Sequence, residues 1–264
     1  MKKLVFRSIL VVLITFFSIS CSSDDNDSPS TPDRTSADVE ADFQALDLTT
    51  GVNDVSLQSV EGRTWNFRLI IPESAGTSER PLILTLHGAS GGNPDAHKST
   101  ACYTEPGFEA IDPIILSPNG GNNLWTDAVN QQMILSLLFL VNKYQNVNED
   151  RVVVTGYSNG GNGAWFYAEV VQGLFSASIP MVSSYNTYST AGTPRQINIP
   201  LYVIHGENDE LFPLAETQEW VEATRSAGTD VTMEVAPGLG HYEPCEYVPY
   251  VKNAVEWLQN DVWN

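Results

Sequence analysis

The segment Gly156-Tyr157-Ser158-Asn159-Gly160-Gly161 offers the clearest chemistry in this 264-residue chain. It follows the β-branched run Arg151 to Thr155 and precedes residues at helical spacing. A serine on a tight strand-to-helix turn presents its hydroxyl for nucleophilic attack. Such a turn needs small residues two before and two after the serine, because neighbouring segments come close. Gly156 and Gly160 meet that need, and the following helix directs its positive end at Ser158, where acyl transfer develops negative charge. A glycine-rich anion-binding turn is the plainer alternative.

A hydroxyl is a weak nucleophile at neutral pH and needs a base within hydrogen-bond reach. Of the four histidines, His87 and His205 each precede glycine at the end of an expected strand, a position that packs or caps a loop, and His97 falls in a polar loop. His241, in Pro237-Gly238-Leu239-Gly240-His241, follows the last expected strand on a flexible turn and is the candidate base. Its orienting acid should end the strand before. There Glu207, Asp209 and Glu210 compete, and Asp209 is preferred because its short side chain sits after a two-residue turn, the two glutamates being expected to face solvent. An N-cap for the helix starting at Leu214 is the other reading of Asp209. Two backbone N–H groups must receive the oxyanion. Asn159 supplies one, and Ala89 in the loop His87-Gly88-Ala89-Ser90-Gly91-Gly92 supplies the other.

The elements needed to hold these groups are legible as apolar patterns. Val52 to Val60 and Thr64 to Ile71, separated by Glu61-Gly62-Arg63, read as an antiparallel edge hairpin. Pro81 to Leu86, Pro113 to Leu116, Arg151 to Thr155, Ala177 to Val182, Pro200 to Ile204 and Val231 to Val235 read as buried parallel strands. Ala128 to Tyr144, Gly161 to Val171, Leu214 to Ser226 and Glu246 to Gln259 carry apolar residues three or four apart and are the expected helices. An antiparallel start followed by strand-helix units gives about eight strands, mostly parallel, with helices on both faces. This is the α/β-hydrolase layout, and the same count describes other doubly wound folds.

From Thr64 to about Leu258 the chain resembles secreted esterases of the dienelactone-hydrolase and prolyl-oligopeptidase-like branch of the α/β-hydrolases. Gly156-Tyr157-Ser158-Asn159-Gly160-Gly161-Asn162-Gly163-Ala164-Trp165 is similar to their elbow and following helix. His205-Gly206-x-x-Asp209-x-x-Phe212-Pro213 is similar to their acid loop, and Gly240-His241 to their base loop. Related groups include feruloyl and acetyl esterases and polyhydroxyalkanoate depolymerases, so the resemblance implies the reaction more narrowly than the substrate. Asn159 departs from the commoner Met, Gln or Ala, which touches pocket shape, since only its backbone serves the oxyanion. In that fold Cys102 follows the oxyanion loop and Cys245 the base loop, and a disulfide between them is expected, provided their Cα atoms come within about 7 Å.

Residues 1–20 combine a basic start with the apolar run Ile9 to Ile19, too short to span a bilayer comfortably, and read as a signal segment, with a transmembrane anchor as the alternative. Ser18-Ile19-Ser20-Cys21 resembles a bacterial lipoprotein cleavage site with Cys21 acylated; Ser18 stands where Leu is usual, and ordinary cleavage without lipid is the alternative. The acidic tract Ser22 to Asp27 resembles a surface-export signal of outer-membrane lipoproteins, with a periplasm-facing anchor as the alternative. Residues 21–47 read as a flexible tether, poor in large apolar groups, and residues 48–264 as the catalytic domain. With Cys21 acylated, Cys102 and Cys245 remain as an even pair in an oxidising compartment.

The composition is 42% hydrophobic and 10% aromatic with a formal net charge of −19. Loss of Lys2, Lys3 and Arg7 with the signal segment removes three cations and leaves about −22, which repels nucleic acid. Neither a metal nor an organic cofactor is expected. The expected activity is hydrolysis of carboxylic esters, acetyl or feruloyl groups on polysaccharide, with Trp125, Tyr185 and Tyr188 as an aromatic platform for sugar or phenol. The rivals are a serine peptidase of the prolyl-oligopeptidase type and a non-catalytic glycan-binding surface lipoprotein.

Overall fold

The computed structural model describes residues 33–264. The expected signal segment, Cys21 and residues 22–32 of the expected tether lie outside the described residues. Eight strands form one sheet in the order β1-β2-β4-β3-β5-β6-β7-β8. β1 (Gly51–Gln58) and β2 (Thr64–Ile71) make the expected hairpin, and β2 also runs antiparallel to β4 (Ile114–Pro118). From β4 onwards every pairing is parallel, through β3 (Arg80–Leu86), β5 (Val147–Tyr157), β6 (Ala177–Met181), β7 (Leu201–Gly206) and β8 (Val231–Ala236).

The period of two explains why the buried stretches of the central strands carry apolar residues at successive positions. In β3, Leu82, Leu84 and Leu86 enter one core while Ile83 enters the other, and Val152 and Val154 of β5 part from Val153 in the same way. Helices must therefore cover both faces. α1 (Ser36–Gln44), α3 (Ala128–Tyr144) and α4 (Asn159–Val170) contribute to the first core, joined by Val221 of α5 (Leu214–Ser226). α2 (Ala101–Phe108) and α6 (Val248–Trp257) contribute to the second.

Two helices depart from the sequence reading. Residues 33–47, expected as the end of the tether, contain α1. Thr35 caps it, accepting from the Asp38 N–H while the Asp38 carboxylate accepts from the Thr35 N–H, and Val39 and Phe43, one turn apart, are buried. Two large apolar side chains on one face suffice to dock a short helix when its first turn is satisfied locally. α2 lies in the loop after the oxyanion segment, where Pro106 and Gly107 obscure a helical pattern. Gly107 is required by packing, because a Cβ there would overlap Val251 of α6.

Candidate active site

The parallel strands end together, and their carboxyl ends carry the candidate residues. β5 stops at Tyr157 and α4 starts at Asn159, so Ser158 alone makes the turn, with φ 58° and ψ −121°. A positive φ is costly for a residue with a side chain and survives where the surroundings hold it. The Ser158 N–H donates to the Met181 carbonyl at 3.0 Å, and Asn162 N–H returns to the Ser158 carbonyl at 3.0 Å. The flanking glycines are sterically compelled, since a Cβ on Gly156 would strike the Gly160 carbonyl and one on Gly160 would strike that of Leu86.

The structure brings Ser158, His241 and Asp209 into one relay. Ser158 Oγ lies 2.8 Å from His241 Nε2, and His241 Nδ1 lies 3.1 Å from each oxygen of Asp209. The Asp209 side chain is wholly buried and His241 nearly so. Asp209 Oδ1 also accepts from the Leu211 and Phe212 N–H groups at 2.9 and 2.8 Å, an Asx-type turn that supplies donors for a buried charge. The cap of α5 is Pro213, so the capping role for Asp209 does not arise.

The base loop is held from several sides. Tyr157 donates its hydroxyl to the His241 carbonyl and Tyr247 to that of Gly240. Burial, aided by the negative charge of Asp209, pushes both phenols above their ordinary range, so each stays protonated and donates. Glu207 and Glu210 are solvent-exposed, as expected, yet each also binds backbone: the Gly238 N–H donates to Glu207 at 2.8 Å and the His241 N–H to Glu210 at 3.3 Å. Cys102 of α2 and Cys245, four residues beyond His241, form a disulfide with Cα atoms 5.3 Å apart.

The other two strand-end histidines have structural contacts. His205 donates through Nε2 to the Phe212 carbonyl at 2.8 Å, steadying the acid loop, and its Nδ1 is buried without a partner. His87 Nδ1 donates to the Gly88 carbonyl at 2.6 Å and its Nε2 accepts from the Gly120 N–H at 3.0 Å. Because the Gly88 carbonyl and the Ala89 N–H belong to one planar peptide, this contact also fixes where the Ala89 N–H points. Burial lowers the basicity of both imidazoles, which stay neutral at neutral pH. Asn159 is the first residue of α4, so its N–H has no acceptor within the helix. Gly88, Ala89 and Ser158 border one cavity of about 490 Å³ with His241, Leu211 and Tyr242.

The expected aromatic platform is corrected. Trp125 is 1% exposed, donates its indole N–H to the His87 carbonyl at 2.9 Å and packs beneath the oxyanion loop. Tyr185 stacks on Trp165 and donates to Glu169 at 2.6 Å, and Tyr188 packs edge-on against Trp220. These side chains are committed to packing and do not line the cavity around Ser158. The signal that marks the true rim residues, Leu211 and Tyr242, is their place in the chain, immediately beside the acid and base loops.

Solved structures with the same fold include a thermostable esterase, 22% identical over 79% of this chain with a TM-score of 0.65, of which this chain spans 62%. A fluorophosphonate-binding serine hydrolase F from Staphylococcus aureus is 15% identical, with 81% of this chain and 100% of that one covered and a TM-score of 0.66. A ferulic acid esterase is 20% identical, with 80% and 98% covered and a TM-score of 0.60. No curated protein sequence matches the chain. The structural likenesses show the α/β-hydrolase fold, and a family match makes the protein a carboxylic ester hydrolase. Residues 67–264 match the dienelactone hydrolase family, and the chain belongs to that family.

Proposed function

We propose that the enzyme cleaves acetyl or feruloyl esters attached to polysaccharide, through an acyl-enzyme on Ser158. The observation that carries the reading is the unbroken relay from Ser158 Oγ through His241 to Asp209. In this reading Ser158 Oγ attacks the ester carbonyl as His241 Nε2 takes its proton, and the oxyanion receives the N–H groups of Ala89 and Asn159. His241 then returns the proton to the departing alcohol oxygen, and Asp209 stabilises the transient imidazolium. Water, activated by the same base, releases the acid and restores the serine.

The substrate class is supported by space and charge. Ala89, Ser90, Ala96 and Ser99 give the cavity small walls on the oxyanion side, and its volume admits a ring-sized acyl group. The strongly negative chain disfavours anionic polymers. We further infer that Cys21 carries lipid and tethers the enzyme to the outer membrane, where polysaccharide esters are met.

The test is turnover of p-nitrophenyl acetate, methyl ferulate, acetylated xylan and a peptide anilide by the protein without its tether, beside Ser158→Ala. Ester cleavage that falls by about 10⁴-fold or more in the folded variant supports the mechanism. Faster cleavage of the anilide than of any ester means a peptidase. Glycan binding without turnover by either protein means a binding module.

A further inference from the structure

Proton delivery dictates where the alcohol half of an ester lies. When the tetrahedral intermediate collapses, the bond from carbonyl carbon to alcohol oxygen breaks, its electron pair stays on that oxygen, and His241 supplies the proton. The leaving oxygen must then stand within roughly 3 Å of His241 Nε2. The rest of the alcohol therefore passes the residues beside the base, away from the small-walled oxyanion side.

Leu211 and Tyr242 stand there. They come from two different loops, after β7 and after β8, and border the same cavity as Ser158 and His241. Leu211 is 52% exposed and Tyr242 67%, the latter packed edge-to-face on His241 at 5.5 Å. A single exposed apolar side chain carries little meaning. Two from separate loops at the mouth of a cavity, one of them touching the base, make a surface that a bound molecule desolvates. Each has a carboxylate next to it in the chain. Glu210 and Glu243 are exposed and turn back on the base loop, accepting the His241 N–H at 3.3 Å and the Gly240 N–H at 3.0 Å. A flat aromatic face bordered by negative charge suits a ring with an apolar C–H face and no charge of its own.

We propose that Tyr242 and Leu211 form the alcohol-side subsite, taking the C–H face of a neutral pyranose, and that Glu210 and Glu243 turn away a ring bearing a carboxylate. The proposal rests on the reading of Ser158, His241 and Asp209 as the acyl-transfer residues. It relocates sugar recognition from Trp125, Tyr185 and Tyr188 to the acid and base loops.

The experiment keeps the acyl group constant and varies the alcohol. Values of kcat/KM are measured for acetylated methyl xylopyranoside, acetylated methyl glucuronoside and isopropyl acetate, all esters of secondary alcohols, with p-nitrophenyl acetate as a control. The proteins are the wild type, Tyr242→Ala, Tyr242→Trp and the double variant Glu210→Gln, Glu243→Gln. The expected result is a preference for the xyloside over isopropyl acetate that drops on the order of tenfold in Tyr242→Ala, through KM, and returns in Tyr242→Trp. Discrimination against the glucuronoside should narrow in the double variant and with added salt. A xyloside preference that is absent in the wild type, or that survives Tyr242→Ala, overturns the subsite while leaving acyl transfer intact. Failure of the wild type to cleave p-nitrophenyl acetate strikes instead at the acyl-transfer reading.

Discussion

Asp209 shows how one buried carboxylate orders a site. Its two oxygens accept from His241 Nδ1 and from the N–H groups of Leu211 and Phe212. Asn at this position keeps the shape but sets an NH₂ against those donors or forces His241 into the other tautomer. Asp209→Asn should therefore lower kcat by about 10³ to 10⁴-fold, with KM and thermal midpoint little changed. Steady-state kinetics on p-nitrophenyl acetate checks it, and a loss below tenfold would leave Asp209 without an orienting role. The relay residues are readable from sequence because nucleophilic serine chemistry demands particular types in a particular chain order. Their supports are not. Tyr157 and Tyr247 act by donating to main-chain carbonyls 84 and seven residues away in the chain, and Glu207 and Glu210 accept from a loop 31 residues on. Neither periodicity nor motif encodes such partners. Trp125, Tyr185 and Tyr188 mislead for a related reason, since an aromatic side chain looks alike in sequence whether it packs or receives a ligand.

At the scale of elements, the strands that matter for the site are the easiest to read. β3 and the second half of β5 are buried on both faces, so nearly every position there is apolar, as in Leu82-Ile83-Leu84 and Val152-Val153-Val154. α3 and α5 begin and end where their apolar spacing says. α1 was hidden within a polar composition because two buried residues in nine carry it. Phe43 is 1% exposed and sits in the core that also holds α3. Phe43→Ala should cost about 3 to 4 kcal/mol in denaturant unfolding. A cost under about 1 kcal/mol would mean that α1 adds little to the folded domain and that the tether effectively extends to Asp47.

For the whole molecule, three histidines are buried in neutral form. Burial sets the pKa of His87, His97 and His205 below the ordinary imidazole value of about 6.5. Each takes up a proton on unfolding once the pH falls below that value, so stability is full above about 6.5 and declines as the pH drops towards the lowered folded values. The thermal midpoint should fall between pH 7 and 5, above the range where ordinary carboxylates titrate. A flat midpoint across that window would mean that the three imidazoles accept protons within the fold. At neutral pH His205 and His87 steady the acid and oxyanion loops through carbonyl contacts, in line with the packing or loop-capping place the sequence gives them.

The proposed membrane attachment also belongs to the scale of the whole chain. Cys21→Ser should move the protein from the membrane fraction to the soluble fraction, measured by fractionation and palmitate labelling. Persistence in the membrane with the variant would overturn lipidation at that residue.

The Cys102–Cys245 bond closes a ring in the covalent chain whose ends are 143 residues apart. Ser158, Asp209 and His241 all lie inside this ring, while Ala89 lies outside it. A protease that cuts one exposed turn within the ring opens the loop but cannot release either piece. The severed halves remain one covalent molecule, with Ser158, Asp209 and His241 still joined, until a reductant cuts the second link.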